Sequence, residues 1–236
     1  MTGALNFKHR LVRAPLIRDR EEWILGQCKG RHVLHVGCVD AGMLDSKLDH
    51  GAHLHNQLAD QCAAVIGVDI NKAGIEHLKA LGFENVLHGD LASEHDRIAS
   101  YIRQNLGRCD TILCGEVLEH VLDMGRFLEG VRKVALAFDS RVIITVPNAY
   151  SFERFIPMVL GTEMVHPDHK CYFSQVTLKT LLNQTGFGAV GTNFYSNEKR
   201  ASSRARLLAK RFINRTILAV WPQLATGLIA VAKAGR

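Results

Sequence analysis

The chain has 236 residues, of which 47% are hydrophobic and 22% charged, with only five prolines and twenty glycines. That is enough apolar material for one globular core, and it excludes collagen-like, low-complexity and disordered classes. The formal net charge is +6, but from residue 197 onward nine Lys and Arg stand against one acid, Glu198, so the preceding body is slightly negative. A nucleic-acid-binding domain would spread its basic residues over a whole face, so no nucleic-acid partner is expected.

Uncharged apolar runs of about eighteen residues are absent, and the stretch from Phe7 to Val12 has neither an apolar centre nor a cleavage site. The six cysteines, Cys28, Cys38, Cys62, Cys109, Cys114 and Cys171, form no CxxC pair and no ligand-spaced cluster. Neither a structural zinc nor a disulfide framework is predicted, and a reducing cytoplasm is the expected location.

Short apolar runs of strand length occur at 33–36, 64–68, 85–87, 111–114 and 142–146. Between them lie helically spaced segments: Leu44, Leu48, Leu54 and Leu58; Ile75, Leu78 and Leu81; Ile98 and Ile102; and Phe127, Leu128, Val131 and Val134. Strands that are apolar throughout and alternate with helices predict a parallel sheet covered on both faces. A further helix from Ser174 to Thr185 should stop at Gly186, and runs at 190–195 and 224–232 should pair as strands. Residues 197–221 are then an excursion between two strands. The whole, 1–236, reads as one domain, with a helical extension over 1–30 and a lid-like segment over 149–170.

Ligands of such sheets bind beyond the carboxyl ends of the strands. The first strand is followed by Gly37, Cys38, Val39, Asp40 and a further glycine at 42, a turn that lets backbone approach a ligand or is simply tight. Asp69 ends the second strand, where a carboxylate accepts ribose hydroxyls or caps the next helix. After the third run, Asp90 suits an adenine amine, with Leu91 donating from its backbone, or again a helix cap. After the fourth comes Cys114-Gly115-Glu116-Val117-Leu118-Glu119-His120-Val121, with two acids and a histidine within five residues.

These strand ends, with Pro147-Asn148, His166-Pro167-Asp168-His169 and Phe173-Ser174-Gln175-Val176-Thr177-Leu178, resemble the class I S-adenosylmethionine-dependent methyltransferases. Within that class they are similar to small bacterial enzymes grouped with the ubiquinone-pathway O-methyltransferase. The resemblance covers about residues 30–196. It implies an α/β fold with a doubly wound, Rossmann-like sheet of seven strands, mostly parallel with an antiparallel last strand, and S-adenosylmethionine as cofactor. It places Gly37, Cys38, Asp69, Ile70, Asp90, Leu91 and Cys114 around that cofactor. Three departures stand out. Val39 and the residue at 41 occupy glycine positions, His35 replaces an acid inside the first strand, and the interval from Gly42 to Asp69 is long. The last predicts an extended first crossover, with Leu54 and His55 at the cofactor end.

Methyl transfer from a sulfonium needs alignment and, for a hydroxyl acceptor, a base. Histidine is the natural base near neutrality, and His169, then His120, are the catalytic candidates; a histidine bonding a backbone carbonyl is the plain alternative. Glu116, Glu119 and His120 could instead gather a divalent cation, although no metal is the leading expectation. The apolar stretch 149–165 suits a lid, a contact for a lipid-linked acceptor, or core. The basic helix within 197–221 suits an anionic membrane surface, a partner or plain solvation. The expected reaction is O-methylation of a sugar hydroxyl in a surface glycan or secondary metabolite, with a quinone-like phenol or amino sugar as alternative acceptors. A nicotinamide-dependent oxidoreductase would need the intact three-glycine fingerprint, which is missing. A module that holds the cofactor without catalysis is the third reading.

Overall fold

The computed structural model describes residues 8–11, 16–40, 42–197, 208, 211–213 and 215–235. Seven strands form one sheet: β1 (His32–Val36), β2 (Ala64–Asp69), β3 (Val86–His88), β4 (Thr111–Gly115), β5 (Arg141–Pro147), β6 (Phe187–Tyr195) and β7 (Gly227–Ala234). Their order is β3-β2-β1-β4-β5-β7-β6. The first five pair in parallel, and β7 enters antiparallel between β5 and β6. The order reverses between β1 and β4, the switch point beyond whose carboxyl ends a doubly wound sheet binds its ligand.

Each strand sends alternate side chains to opposite faces. Leu34, Ile66, Ile112, Val142 and Ile144 join the larger core with α5 (Leu91–Asn105), α6 (Met124–Phe138) and α8 (Gln175–Gln184). On the other face Val33, Val65, Leu113 and Ile143 meet Ile24 and Cys28 of α1 (Arg20–Cys28) and Leu54 and Leu58 of α3 (Leu54–Gln61). A third cluster seals the first turn, where Cys38, Val39 and Leu44 pack on Ile75 and Leu78 of α4 (Lys72–Ala80). Gly130 lets α6 lie against α5, because a Cβ there would stand 1.9 Å from the carbonyl oxygen of Leu91.

Caps fix where these helices begin. Asp19, Asn71, Asp90 and Asp123 each accept an amide of the first turn, and Ser174 with Thr177 forms a capping box. The predicted first crossover helix is two helices, α2 (Leu44–Asp49) and α3, parted at Gly51, whose φ of +61° suits glycine. The apolar stretch after β5 carries α7 (Phe152–Val159), which buries none of its residues and so is not core. Most of the basic excursion lies outside the described residues; its described end holds a short helix, Ile217–Val220. All six cysteines are free thiols. Among the described residues no helix is long and apolar enough to cross a membrane.

Candidate active site

Beyond β1 the chain turns at Gly37 (φ +77°), whose amide donates to the Val68 carbonyl at 2.8 Å. A Cβ on Gly37 would come within 2.5 Å of Val117 Cγ2, so only glycine fits between the ends of β1 and β4. Asp40 follows in the left-handed region (φ +53°) and pairs with Lys47 at 2.5 Å. Asp69 accepts from the Val39 amide (3.0 Å) through Oδ2 and from the Asn71 amide (2.8 Å) through Oδ1. It therefore ties β2 to the first turn and is no helix cap, that role belonging to Asn71. Burial raises the Asp69 pKa against the lowering effect of these amides.

Asp90 does cap a helix, accepting from the Ala92 amide at 2.9 Å while its own amide donates to Glu94. Cys38 and Cys114 are buried, so either could meet a ligand only through its backbone. The Leu91 side chain is likewise buried, whereas Ile70 is 72% exposed.

Beneath the first turn lies a set of residues that the sequence reading largely missed. His35, His53 and His55 are all buried. Nδ1 of His35 meets Nδ1 of His55 at 3.3 Å, and Nε2 of His53 donates to the Cys38 carbonyl at 2.9 Å. His55 thus sits in the core below the turn and does not face out of it. Burial, followed by the neighbouring His53, pulls the His55 pKa down to about 4. Burial and the charge of His55 hold His35 well below its usual value.

At the end of β4, Glu116 takes the left-handed φ of +57°. It is held there by the amide bond it donates to Thr145 O (2.9 Å) and by two donors to Oε1, the Tyr195 hydroxyl (2.8 Å) and the Thr145 hydroxyl (3.0 Å). Nη1 of Arg20 lies 3.5 Å from the same oxygen. Burial opposes the charge on Arg20, yet Glu116 and its neighbours hold the guanidinium pKa above its ordinary value. Arg20, Thr145 and Tyr195, far apart in sequence, thus converge on the Glu116 carboxylate, and none of those three was legible as a site residue.

Glu119 differs completely. It is 1% exposed and neither carboxylate oxygen has a hydrogen-bond partner. Burial first, then the charge of Glu116, pushes its pKa up to about 9, so it is protonated at neutral pH. Its backbone carbonyl accepts the Lys170 amide at 2.7 Å, which draws the loop after α7 onto the end of β4.

That bond brings together three histidines. His120 ends the 3₁₀ turn Leu118–His120, and His166 and His169 lie on the loop. Ring centroids are 4.7 Å apart for His120 and His169, 5.3 Å for His166 and His169, and 5.7 Å for His120 and His166. One ring nitrogen of each lies within 4.8 Å of the other two. Burial, then His166, lowers the His120 pKa against a hydrogen bond to the Asp168 backbone. Burial, then His120 and His166, lowers that of His169, whose Nδ1 is buried without a partner. The alternative grouping of Glu116, Glu119 and His120 is not among the metal-spaced clusters of the described residues, and Oε1 of Glu116 faces Tyr195, Thr145 and Arg20 instead.

Residues 18–191 match the model of a family described as "Methyltransferase domain". The chain belongs to that methyltransferase family. It is 27% identical over 164 residues to a Mycolicibacterium smegmatis protein named "Probable S-adenosylmethionine-dependent methyltransferase", covering 68% of this chain and 53% of the relative. It is 28% identical over 142 residues to the ubiquinone biosynthesis O-methyltransferase of Psychrobacter cryohalolentis, covering 58% and 48%. The chain therefore spans about half the length of these curated relatives. A crystal structure of a SAM-dependent methyltransferase from Archaeoglobus fulgidus shares the fold, with a TM-score of 0.51 at 22% identity over 90% of this chain and 94% of that one. The methyltransferase domain is of class I, its sheet has the predicted seven strands with an antiparallel last strand, and its methyl donor is S-adenosylmethionine.

Proposed function

We propose that this methyltransferase transfers the methyl group of S-adenosylmethionine to a hydroxyl oxygen of a sugar, in a surface glycan or secondary metabolite. The observation that carries the reading is the convergence of His120, His166 and His169 at the end of β4, one turn beyond the strand that borders the switch point. The residues at that switch point fit the donor: the turn at Gly37 leaves room for no side chain, and Asp69 retains lone pairs for ribose hydroxyls after accepting two amides. Cys38, Ile70, Asp90, Leu91 and Cys114 complete the proposed surround of the donor.

A sugar hydroxyl loses its proton poorly at neutral pH, so the acceptor needs a base beside the methyl group. His169 is that base and His120 the alternate. Their depressed pKa values keep both imidazoles neutral and able to accept. The acceptor O–H proton passes to the ring nitrogen, the oxygen pair forms the new bond to carbon, and the sulfur–carbon pair returns to sulfur.

The exposed Phe155, Met158, Val159 and Leu160 of α7 and its C-terminal end, together with Met164, offer an apolar surface beside the loop that bears the histidines. This supports an acceptor carried on a lipid. A quinone-like phenol is the second reading, favoured by the name of the Psychrobacter relative. Incubation with S-adenosylmethionine and either lipid-linked sugars or catechol-type phenols, read by product mass, separates the two. Methylation of phenols alone overturns the sugar reading.

A further inference from the structure

We propose that the excursion between β6 and β7 docks on an anionic lipid bilayer, which it meets through Leu208, Arg211, Phe212, Arg215 and Trp221. The inference rests on the reading above in which the acceptor is carried on a lipid, and it assigns the surface that brings the enzyme to that lipid. Leu208, Arg211, Phe212, Ile213 and Arg215 are helical. From Leu208 the residues Arg211, Phe212 and Arg215 follow at spacings of three, four and seven, which share one side of a helix. All four are exposed, Leu208 at 62% and Phe212 at 67%. The domain is gripped by other side chains: Ile213 and Ile217 pack against the larger core, and Leu218 is buried in it. A segment that only covered its own domain would spend its apolar residues inward and leave polar ones outside. Here two large apolar side chains remain in water, with arginines beside them.

The surface continues to the edge of the sheet where the candidate active site lies. Val220 and Trp221 are 66% and 52% exposed. Trp221 leads into the 3₁₀ turn Pro222–Leu224, and the carbonyls of Gln223 and Ala225 accept from Nδ2 of Asn148 at 2.8 Å each. Asn148 directly follows β5, so this turn, and Trp221 with it, stands at the carboxyl edge of the strands. A bilayer met there lies on the side from which a lipid-carried acceptor arrives.

Charge selects the occupant. From residue 199 to 215 the sequence has seven Lys and Arg and no acid, whereas the body before the excursion is slightly negative. An anionic surface attracts the one and repels the other, which orients the molecule as it lands. Leucine and phenylalanine flanked by arginines, with a tryptophan close in sequence, suit the headgroup layer, where apolar side chains reach the acyl boundary and guanidinium groups stay on the phosphates. Duplex nucleic acid would use the arginines and leave Leu208 and Phe212 in water.

The test uses the full chain and co-sedimentation with phosphatidylcholine vesicles, with and without phosphatidylglycerol, in the absence of methyl donor and acceptor. Binding should require phosphatidylglycerol and weaken as salt rises. Arg211→Gln combined with Arg215→Gln should weaken it about thirtyfold, at about fivefold for each basic residue. Phe212→Ser and Trp221→Ser should each weaken it about tenfold. The chain has two tryptophans, Trp23 and Trp221, so in Trp23→Phe the emission reports Trp221 alone and should move to the blue on the anionic vesicles. Should Phe212→Ser melt below the parent, the arginine pair and the emission carry the test. Absence of binding at low salt, equal binding without phosphatidylglycerol, or parental binding by the variants overturns the proposal. Tighter binding to a DNA duplex than to the vesicles, or a dimer that Phe212→Ser dissociates, gives the surface to another occupant and overturns it as well. Because the vesicles hold no acceptor, failure to methylate lipid-linked sugars with vesicle binding intact overturns only the acceptor reading.

Discussion

The molecule holds two sets of three histidines, and they are built in opposite ways. His35, His53 and His55 lie under the first turn with exposures of 3%, 0% and 2%. Two of those rings share a hydrogen bond, and the third donates to a carbonyl. His120, His166 and His169 stand at the edge of the sheet, close together but without a hydrogen bond from ring to ring. The inner set is held by its surroundings: burial disfavours charge, and the carbonyl of Cys38 fixes the proton on Nε2 of His53. In the outer set Nδ1 of His166 accepts the Asp168 amide at 3.2 Å, while Nδ1 of His169 has no partner. The same side chain therefore sits in the core where it is buried and at the sheet edge where it is partly open, and His53 and His169 each keep one buried ring nitrogen without a partner.

The sharpest way to break this contrast is to delete one ring from the outer set. His169→Ala should lower turnover by roughly 10²- to 10⁴-fold while leaving donor affinity and the melting curve at parental values. Turnover near the parental level would transfer the role to His120, and a fall in melting temperature would make the outer set structural like the inner one.

Asp69, at the end of β2, should give the next largest effect. Asp69→Ala removes acceptors for the Val39 and Asn71 amides and, on the proposed reading, for the donor's ribose. Charge-assisted hydrogen bonds are worth about 1.5–3 kcal/mol, so donor affinity measured by calorimetry should fall by about ten- to a hundredfold. An unchanged dissociation constant would restrict Asp69 to holding the first turn.

The inner set should be visible in the pH dependence of stability. Its histidines have folded-state pKa values below the unfolded value of 6.5, His55 at about 4. The stabilisation they bring is complete above pH 6.5 and is lost as pH falls toward 4, because the unfolded chain binds the proton first. Each such group contributes a slope of up to about 1.4 kcal/mol per pH unit in that window. Denaturant titrations at a series of pH values should show the fall, and His55→Leu should flatten it. An equal slope in the variant would mean that other groups govern acid unfolding.

The smallest effect should come from α7 and its end. Leu160 is 77% exposed, so Leu160→Ser should change stability by less than about 0.5 kcal/mol. A larger loss would show that the apolar surface beside the outer histidines is packed after all.

Much of this was legible in the sequence because the signals are local. The apolar runs of β1, β2, β4 and β5 and the glycine after β1 are each contained in a few residues. So is the acid at 69, and the closeness of Glu119 to His120. The pairing of 190–195 with the last apolar run was readable for the same reason. What escaped depends on closure over long distances. Arg20 meets Thr145 across 125 positions, and Tyr195 meets Glu116 across 79. The one cue was Thr145, a polar residue inside an otherwise apolar strand. Asp90 shows the converse limit, since an acid before a helix looks the same in sequence whether it caps the helix, as it does here, or faces a ligand.

The insertion of β7 between β5 and β6 also sets a schedule for synthesis. When β6 leaves the ribosome its partner strand in the sheet, β7, has not yet been made, and only the short bridge from Tyr195 to Ile17 has its earlier half in place, while β5 still presents an open edge to whatever is nearby. Neither edge can be satisfied until Gly227–Ala234 emerges and slides between them. For the whole time taken to translate residues 196–226, the edge of β5 and the strand β6 are therefore a nascent surface open to illicit pairing, and it is in that interval that a holdase chaperone would matter most to this protein.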